Sequence, residues 1–430
     1  TIRAEGRTAR PSGEPAQIRM RRPRLLPPTA SPDAALLLET RGTRGLGDGL
    51  VSVVLATYLL AVGLSDVRIG IVITLTLLGS AALTLVVGVR AHAYPRRRLL
   101  QLVSLLMIAT GVGFAVFDTF WPIAAVGLIG TLNPSGGDVS VFLPTEQALL
   151  PATVEDRHRT AIFARYSLIG TLAAAVGALL AGVPEWIGDR FDANAATALR
   201  ASFVAYALLG VIVLTRYRRL SPAVEPTHEA PPSALGQSRQ TVYRLAALFS
   251  LDAFGGGFVI TALLVLWLHR RFGLSVAVSG TVFFWAGVLS AFSALVAVRI
   301  AGRIGLVRTM VFTHLPANGL LVATAFMPTA WLAVACLLAR AALSQMDVPA
   351  RTSYVMAVVT PAERPAAASI TNVPRSLAAA LPPVAAGWML GRSTFGWPLV
   401  IGGVVKATYD LLLLKQFRDL RPPEEEHKSR

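Results

Sequence analysis

The sequence predicts an all-α polytopic membrane protein, its twelve transmembrane helices arranged as two six-helix bundles. Three observations carry this. Of 430 residues, 54% are hydrophobic and only 15% charged, where a soluble chain would carry about 25% charge. Apolar stretches long enough to span a bilayer recur along the chain. The widest polar break, Arg216 to Tyr243, divides them six and six.

Taken in order, the chain opens with an Arg- and Pro-rich tail, 1–43, that lacks the apolar core of a signal peptide. Its first methionine is Met20, followed by Arg21, Arg22 and Arg24, so residues 1–19 read as an extension that is not native. Their deletion is expected to leave membrane insertion unchanged. The N-terminal bundle, 44–215, takes its spans from 44–64, 66–89, 98–118, 122–149, 159–182 and 198–215. The linker 216–243 is rich in proline and charge. The C-terminal bundle, 244–414, follows with spans 244–268, 276–298, 306–327, 329–357, 365–390 and 396–414, ahead of a tail at 415–430.

Short matches in the same order suggest that the bundles arose by duplication. Gly45-Leu46-Gly47-Asp48-Gly49 opens the first segment and Phe254-Gly255-Gly256-Gly257 the seventh. Gly63-Leu64-Ser65 recurs as Gly273-Leu274-Ser275, and the stretch Thr153 to Arg157 is paralleled by Thr360 to Arg364. Basic residues set the orientation. One side holds Arg21, Arg22, Arg24, Arg41, Arg96, Arg97, Arg98, Arg157, Arg159, Arg216, Arg218, Arg219, Arg299, Arg303, Arg308, Lys415 and Arg418; the other holds little beyond Arg68, Arg190, Arg270, Arg271 and Arg392. Both termini are therefore expected in the cytoplasm of a cell with an inner membrane. Trp267, Trp331, Trp388 and Trp397 lie near segment ends and read as interface anchors.

The net charge of +16 does not imply a nucleic-acid partner, because the arginines sit between apolar runs. Cys336 is the only cysteine, which excludes an internal disulfide or a cysteine metal site. The six histidines show no metal-ligand spacing, and no phosphate-binding Gly-x-x-x-x-Gly-Lys-Ser/Thr loop occurs. No cofactor and no catalytic centre are expected; the chain reads as a non-enzyme.

Six plus six segments, a central basic linker and the loop signatures resemble the major facilitator superfamily of secondary transporters, from about Arg44 to Arg418. The family's loop between segments 2 and 3 runs Gly-x-x-x-Asp-Arg-x-Gly-Arg-Arg. Here Gly88, Arg96 and Arg97 are kept, with His92, Ala93 and Pro95 at its Asp, Arg and second Gly. The copy between segments 8 and 9 keeps Arg303 and Gly305 but has Gly302 at the Asp position. The resemblance implies that these loops gate the transporter. Glu155 to Ala161 looks like the family's acidic-then-Arg loop after segment 4. Segment 5 has Gly177-Ala-Leu-Leu-Ala-Gly182 without the proline of the family's antiporters. The resemblance also implies that segments 1, 4, 7 and 10 line a central cavity.

The intramembrane acids follow that set: Asp48 in segment 1, Asp138 and Glu146 in segment 4, Asp252 in segment 7 and Asp347 in segment 10. Buried ionisable groups are candidates for function, so Asp48, Asp138, Glu146 and Asp252 are the expected proton-coupling residues. Each also has a structural reading. Asp48 follows Arg44 by one turn near the expected helix end. Asp138 follows the helix-breaking run Asn133 to Gly137 and can cap a restarted helix. Glu146 is expected to pair with Arg157 or Arg165, and Asp252 precedes glycines suited to close helix packing.

Segment 10 supplies the sharpest pattern. At about 100° per residue, Arg340, Ser344, Asp347 and Arg351 fall in a wedge roughly 60° wide. A central charge costs roughly 2.5–3.5 kcal/mol on the insertion scale, so the stripe faces protein or water. Either Asp347 holds both arginines as structural pairs, or the stripe lines a solute path. Arg340, Ser344, Asp347 and Arg351, with Arg375 in segment 11, form the expected substrate site, whose guanidinium groups suit an anionic solute. Lys406 and Asp410 in segment 12 read as a structural pair on an outer face. The expectation is a monomeric transporter that moves a small organic solute by alternating access with protons as coupling ion, in efflux, with uptake of a metabolite or a non-transporting receptor or scaffold as the alternatives.

Both termini on one cytoplasmic side is directly testable. Alkaline phosphatase fused after Arg430 should be inactive and a cytoplasmic fluorescent reporter there bright. The reverse pattern would refute the twelve-segment count.

Overall fold

A computed structural model describes residues 26–417 except 28, 91–93, 136–140, 226–235, 237 and 361–362. The first segments are α1 (Pro32–Ala61), α2 (Asp66–Arg90) and α3 (Arg96–Val116). The fourth is split into α4 (Phe120–Ile129) and α5 (Phe142–Leu149), separated by Asn133 and Pro134. The fifth is α6 (Arg159–Leu180), followed by the short α7 (Gly182–Arg190), and α8 (Ala195–Arg218) closes the N-terminal half. In the C-terminal half, α9 (Arg239–Gly257) and α10 (Thr261–Phe272) form the seventh segment, α11 (Val276–Ile304) the eighth and α12 (Leu306–Phe326) the ninth. The tenth is α13 (Ala330–Ser344) with α14 (Asp347–Ala357), the eleventh α15 (Arg364–Ala380) with α16 (Pro382–Arg392), and the twelfth α17 (Trp397–Phe417).

Among the described residues, ten helical stretches are long and apolar enough to cross a membrane. The fourth and eleventh segments complete the twelve. In the eleventh, Pro382 and Pro383 start a new helix, since a proline ring fits the first turn and not the interior.

The first helix starts at Pro32, well before the expected 44. Ser31 is extended, and Pro32 and Asp33 occupy the first turn, all start signals hidden inside a tail of basic composition. Arg44 and Asp48 consequently lie in the body of the helix rather than at its end, which removes the helix-end reading of that pair. Inside the spans, hydroxyls bond back to carbonyls one turn earlier, as Thr76 to Val72 (2.8 Å) and Ser104 to Leu100 (2.7 Å) do. This lets polar residues sit in apolar helices.

The repeated Gly-Leu-Ser has one structural use in both halves. Gly63 and Gly273 end α1 and α10 with φ of +87° and +67°, a left-handed conformation glycine adopts without strain. Packing is close where α1 crosses α6. A Cβ at Gly49 would lie 1.9 Å from the Ala174 carbonyl oxygen, so the glycine-rich start of the first segment is a helix-crossing surface.

The start of α1 and the end of α17 lie on one side of the bundle, here termed the terminal side. From mid-depth to the opposite side the halves are bonded to each other. Thr261 Oγ1 donates to the Ser135 carbonyl (2.9 Å) and the Ala262 N–H to that of Pro134 (3.2 Å), joining the breaks in segments 7 and 4. Farther out, Arg270 Nη2 reaches both oxygens of Asp66 at 2.9 and 3.0 Å. The Ala277 N–H donates to Glu185 Oε2 at 2.9 Å. The apolar cores show the same asymmetry. One cluster runs from Leu37 and Tyr58 in the first half to Trp267 and Leu390 in the second. Another, around Phe249, Met310, Tyr354 and Tyr409, is built by the C-terminal half alone on the terminal side.

Gly49→Val should abolish recovery of monodisperse protein by size-exclusion chromatography, because overpacking costs about 1–3 kcal/mol even when a side chain can give way, and here the obstacle is backbone. Gly63→Ala meets open space and should lose only about 1–2 kcal/mol through its left-handed φ, keeping the monodisperse peak.

Candidate functional site

Two polar clusters lie inside the helical body. In the N-terminal half, Glu146 on α5 is fully buried. Its carboxylate accepts from Arg44 Nη2, from the Tyr166 hydroxyl, from the Tyr217 hydroxyl (2.5 Å) and from Thr40 Oγ1 (2.8 Å). Arg44 lies 4.4 Å over the Phe142 ring, and Asp48 is buried one turn along the same helix. A carboxylate with a guanidinium and three hydroxyl donors is saturated, so this cluster joins α1, α5, α6 and α8. The expected partner was wrong: Arg157 pairs with Glu155 at 2.9 Å on the surface, because the early start of α1 brings Arg44 to Glu146 instead. Asp138 lies outside the described residues.

The second cluster occupies the C-terminal half and centres on Asp252 of α9. Lys406 Nζ of α17 lies 2.5 Å from Oδ1 and Arg351 Nη1 of α14 lies 3.3 Å from Oδ2. Arg351 also pairs with Asp347 at 3.5 Å and stands 5.4 Å over the Phe249 ring. From α12, His314 Nε2 lies 3.8 Å from Asp252 Oδ1, while Nδ1 is 2.9 and 3.1 Å from the two oxygens of Asp410. Asn318 Nδ2 donates to Asp410 Oδ2 at 2.8 Å. All these groups are buried.

The segment-10 stripe is only partly as expected. Asp347 and Arg351 pair, but the helix stops at Ser344 and restarts at Asp347, so the four residues do not share one helical face. Arg340 is not held by Asp347, and Ser344 is half-buried at the end of α13. Arg340 and Arg375 are also half-buried, and neither has an ion pair among the described residues. The Nε atoms of both are buried without a hydrogen-bond partner. Both guanidinium groups lie within electrostatic range of Asp252, and Arg375 also of Asp347 and Arg351.

Lys406 and Asp410 do not pair with each other on an outer face. Lys406 turns to Asp252 and Asp410 to His314, both inward. Sequence reading missed His314 and Asn318, because neither counts as a charge; their signal was two polar residues one turn apart in an apolar span. Trp267 is not an interface anchor: it is fully buried and donates from Nε1 to the Thr394 carbonyl (3.2 Å). Trp331, Trp388 and Trp397 are exposed.

The loops on the terminal side are held by acids that sequence reading did not single out. Glu225 accepts the backbone N–H groups of Arg96 (3.0 Å) and Arg97 (2.8 Å), capping α3. Arg96 Nη1 reaches the Ala148 carbonyl (3.2 Å) and Arg97 Nη2 that of Arg218 (2.8 Å). Gly305 turns between α11 and α12 with φ +89°, beside the exposed Arg303. Glu363 receives the Gly236 and Ser238 N–H groups. Hydrogen bonds from Ser238 and Gly236 hold its carboxyl below the usual carboxylate range.

Comparison with known proteins agrees with this architecture. The sequence profile of the Major Facilitator Superfamily matches residues 41–346 and 245–430. A Saccharomyces cerevisiae membrane protein, YJR124C, is 24% identical over 427 residues, 90% of this chain and 94% of its own. Among solved structures, a bacterial homologue of the human lysosomal transporter Spinster, inward-facing and unoccupied, superposes with a TM-score of 0.69 at 14% identity, covering 91% of this chain and 98% of that one. A D-xylose–proton symporter superposes at 0.67 and 16% identity over 89% and 97%. At such identities the solved structures share the fold.

The Arg44–Glu146 pair gives a stability test. Glu146→Leu strands a buried guanidinium and should cost about 3–5 kcal/mol, whereas Arg44→Met with Glu146→Leu should regain most of it. Thermal unfolding in detergent reads both. A single variant as stable as wild type would show that the pair is not buried.

Proposed function

The chain belongs to the major facilitator superfamily, a family of secondary transporters rather than enzymes, and from that premise we propose that it moves a small organic anion by alternating access, coupled to protons. The carrying observation is the pair Arg340 and Arg375. A cation inside a bilayer needs a partner, and these two guanidinium groups have none among the described residues. The surrounding cluster sets three carboxylates, Asp252, Asp347 and Asp410, against four fixed cations, Arg340, Arg351, Arg375 and Lys406. One positive charge is left for a solute. Planar guanidinium donors suit a carboxylate or phosphate group.

The bonds between the halves lie away from the termini, so the transporter rests open on the terminal side. With both termini in the cytoplasm, as the arginine distribution favours, this is an inward-open state, in which a solute reaches the site from the cell interior. Separation of Asp66 from Arg270 and of Ala277 from Glu185 is the step that opens the other side. Of the acids expected to couple protons, Glu146 is saturated by four donors, Arg44 among them. Asp252 shares a cluster with the free guanidinium groups and is the better placed. Efflux is the direction the sequence favoured. The excess positive charge supports the alternative, uptake, because a proton added to this cluster strengthens its hold on an anion and the two then travel together.

Radiolabelled mono- and dicarboxylates, phosphate monoesters and their neutral amides, tested in proteoliposomes with and without a pH gradient, decide the class. Accumulation of an acid and not of its amide is expected. Arg340→Gln and Arg375→Gln should remain folded and lose roughly ten- to hundredfold in affinity, from about 1.5–3 kcal/mol per charged hydrogen bond. Equal transport by the double variant would overturn the anion site.

A further inference from the structure

We propose that His314 and Asp410 together form the proton-binding site of the transporter, on segments 9 and 12 and outside the helices expected to line the cavity. The proposal rests on the proton-coupled reading above and moves the proton from Asp252 to the pair packed beside it.

The observation is a carboxylate with no fixed cation of its own among the described residues. Asp410 is fully buried, and its side-chain partners are His314 and Asn318. Lys406, one turn earlier on the same helix, is committed to Asp252 at 2.5 Å. A lone ionised carboxylate at this depth is expensive. One proton shared between His314 and Asp410 removes the cost, either as imidazolium with carboxylate or as imidazole with carboxylic acid. Histidine is the side chain suited to gain and lose that proton near neutral pH.

The rest of the geometry connects this proton to the solute site. With Nδ1 facing Asp410, Nε2 faces Asp252 Oδ1 at 3.8 Å, the oxygen that Lys406 holds. Arg351 holds the other oxygen at 3.3 Å. A proton on Nε2 adds a third cation to Asp252 and weakens the claim of Lys406 and Arg351 on it. Arg351 is then freer to join Arg340 and Arg375 around an anion. By linkage, anion binding must in return raise the proton occupancy of the pair.

All the elements around His314 except α11 bring a charged or titratable side chain to this cluster. α9 presents Asp252, and α17 presents Lys406, Asp410 and Tyr409, whose ring centroid is 6.1 Å from the imidazole. α14 presents Asp347 and Arg351, and α13 presents Arg340. The Arg299 and Arg303 side chains of α11 are exposed and face away. The fixed charges near the imidazole are thus of both signs, and Asp410 is the one in direct contact.

Solid-state 15N NMR of the full-length chain in lipid bilayers, labelled at histidine, tests this without any solute. His314→Gln identifies the signal. If that variant is not recovered folded, a single-histidine variant retaining only His314 identifies it instead. The expected result is an imidazole signal that titrates between about pH 5 and 9, with a midpoint that moves by about one pH unit or more in Asp410→Asn. A His314 signal unchanged across that range marks a structural proton and overturns the proposal, as does a titration indifferent to Asp410→Asn. Because no solute is added, failure here leaves the anion-transport reading intact. A titrating His314 in a protein that moves no anion would sink that reading alone.

Discussion

An uncompensated charge is scarcely tolerated inside a bilayer, and the interior of this protein is arranged around that constraint. Water cannot solvate Arg44, Glu146, Asp252 or Asp410, so each must find its opposite within the helical body. The two halves meet the demand differently. In the first, Glu146 collects one guanidinium and three hydroxyls from three helices. That closes the local demand and leaves a rigid joint. In the second, Asp252 is shared among Lys406, Arg351 and His314, while Arg340 and Arg375 stand without ion pairs among the described residues. An open demand of this kind is what a solute and a proton can fill.

This division of labour fits the way the halves meet. Hydrogen bonds and the Asp66–Arg270 pair join them from mid-depth to the side away from the termini. On the terminal side the C-terminal half closes an apolar core of its own. Rocking of rigid halves about the central contacts exchanges one set of bonds for another and needs no refolding of either bundle. The breaks in segments 4 and 7 meet through Ser135 and Thr261, so the irregular backbone of both is buried in protein, where its freed carbonyls find donors.

The start of α3 shows how a residue missing from a local pattern can be replaced from a distance. The stretch before α3 has His92 and Ala93 where the family pattern has an acid and an arginine. An acid nevertheless caps the start of α3, but it is Glu225, from beyond α8. The helix terminus demands a partner for its free N–H groups, and any carboxylate that the fold brings near will serve.

Length and hydropathy by themselves determined that the chain spans a membrane in two sets of six helices, since the bilayer thickness dictates how long an apolar helix must be. The Gly-Leu-Ser repeat was legible as one turn used twice because a left-handed turn requires glycine wherever it occurs. The acids on segments 1, 4, 7 and 10 were visible for the same reason that they are rare: charges in apolar runs stand out. The partners of those charges were not visible. Glu146 meets Arg44 rather than Arg157 because α1 starts at Pro32, and Lys406 turns to Asp252 because α9 and α17 pack at Gly255 and Gly402. Helical periodicity places a residue on a face of its own helix and says nothing about which helix that face meets. His314 entered the site only through tertiary packing, which set an uncharged residue of segment 9 between carboxylates from segments 7 and 12.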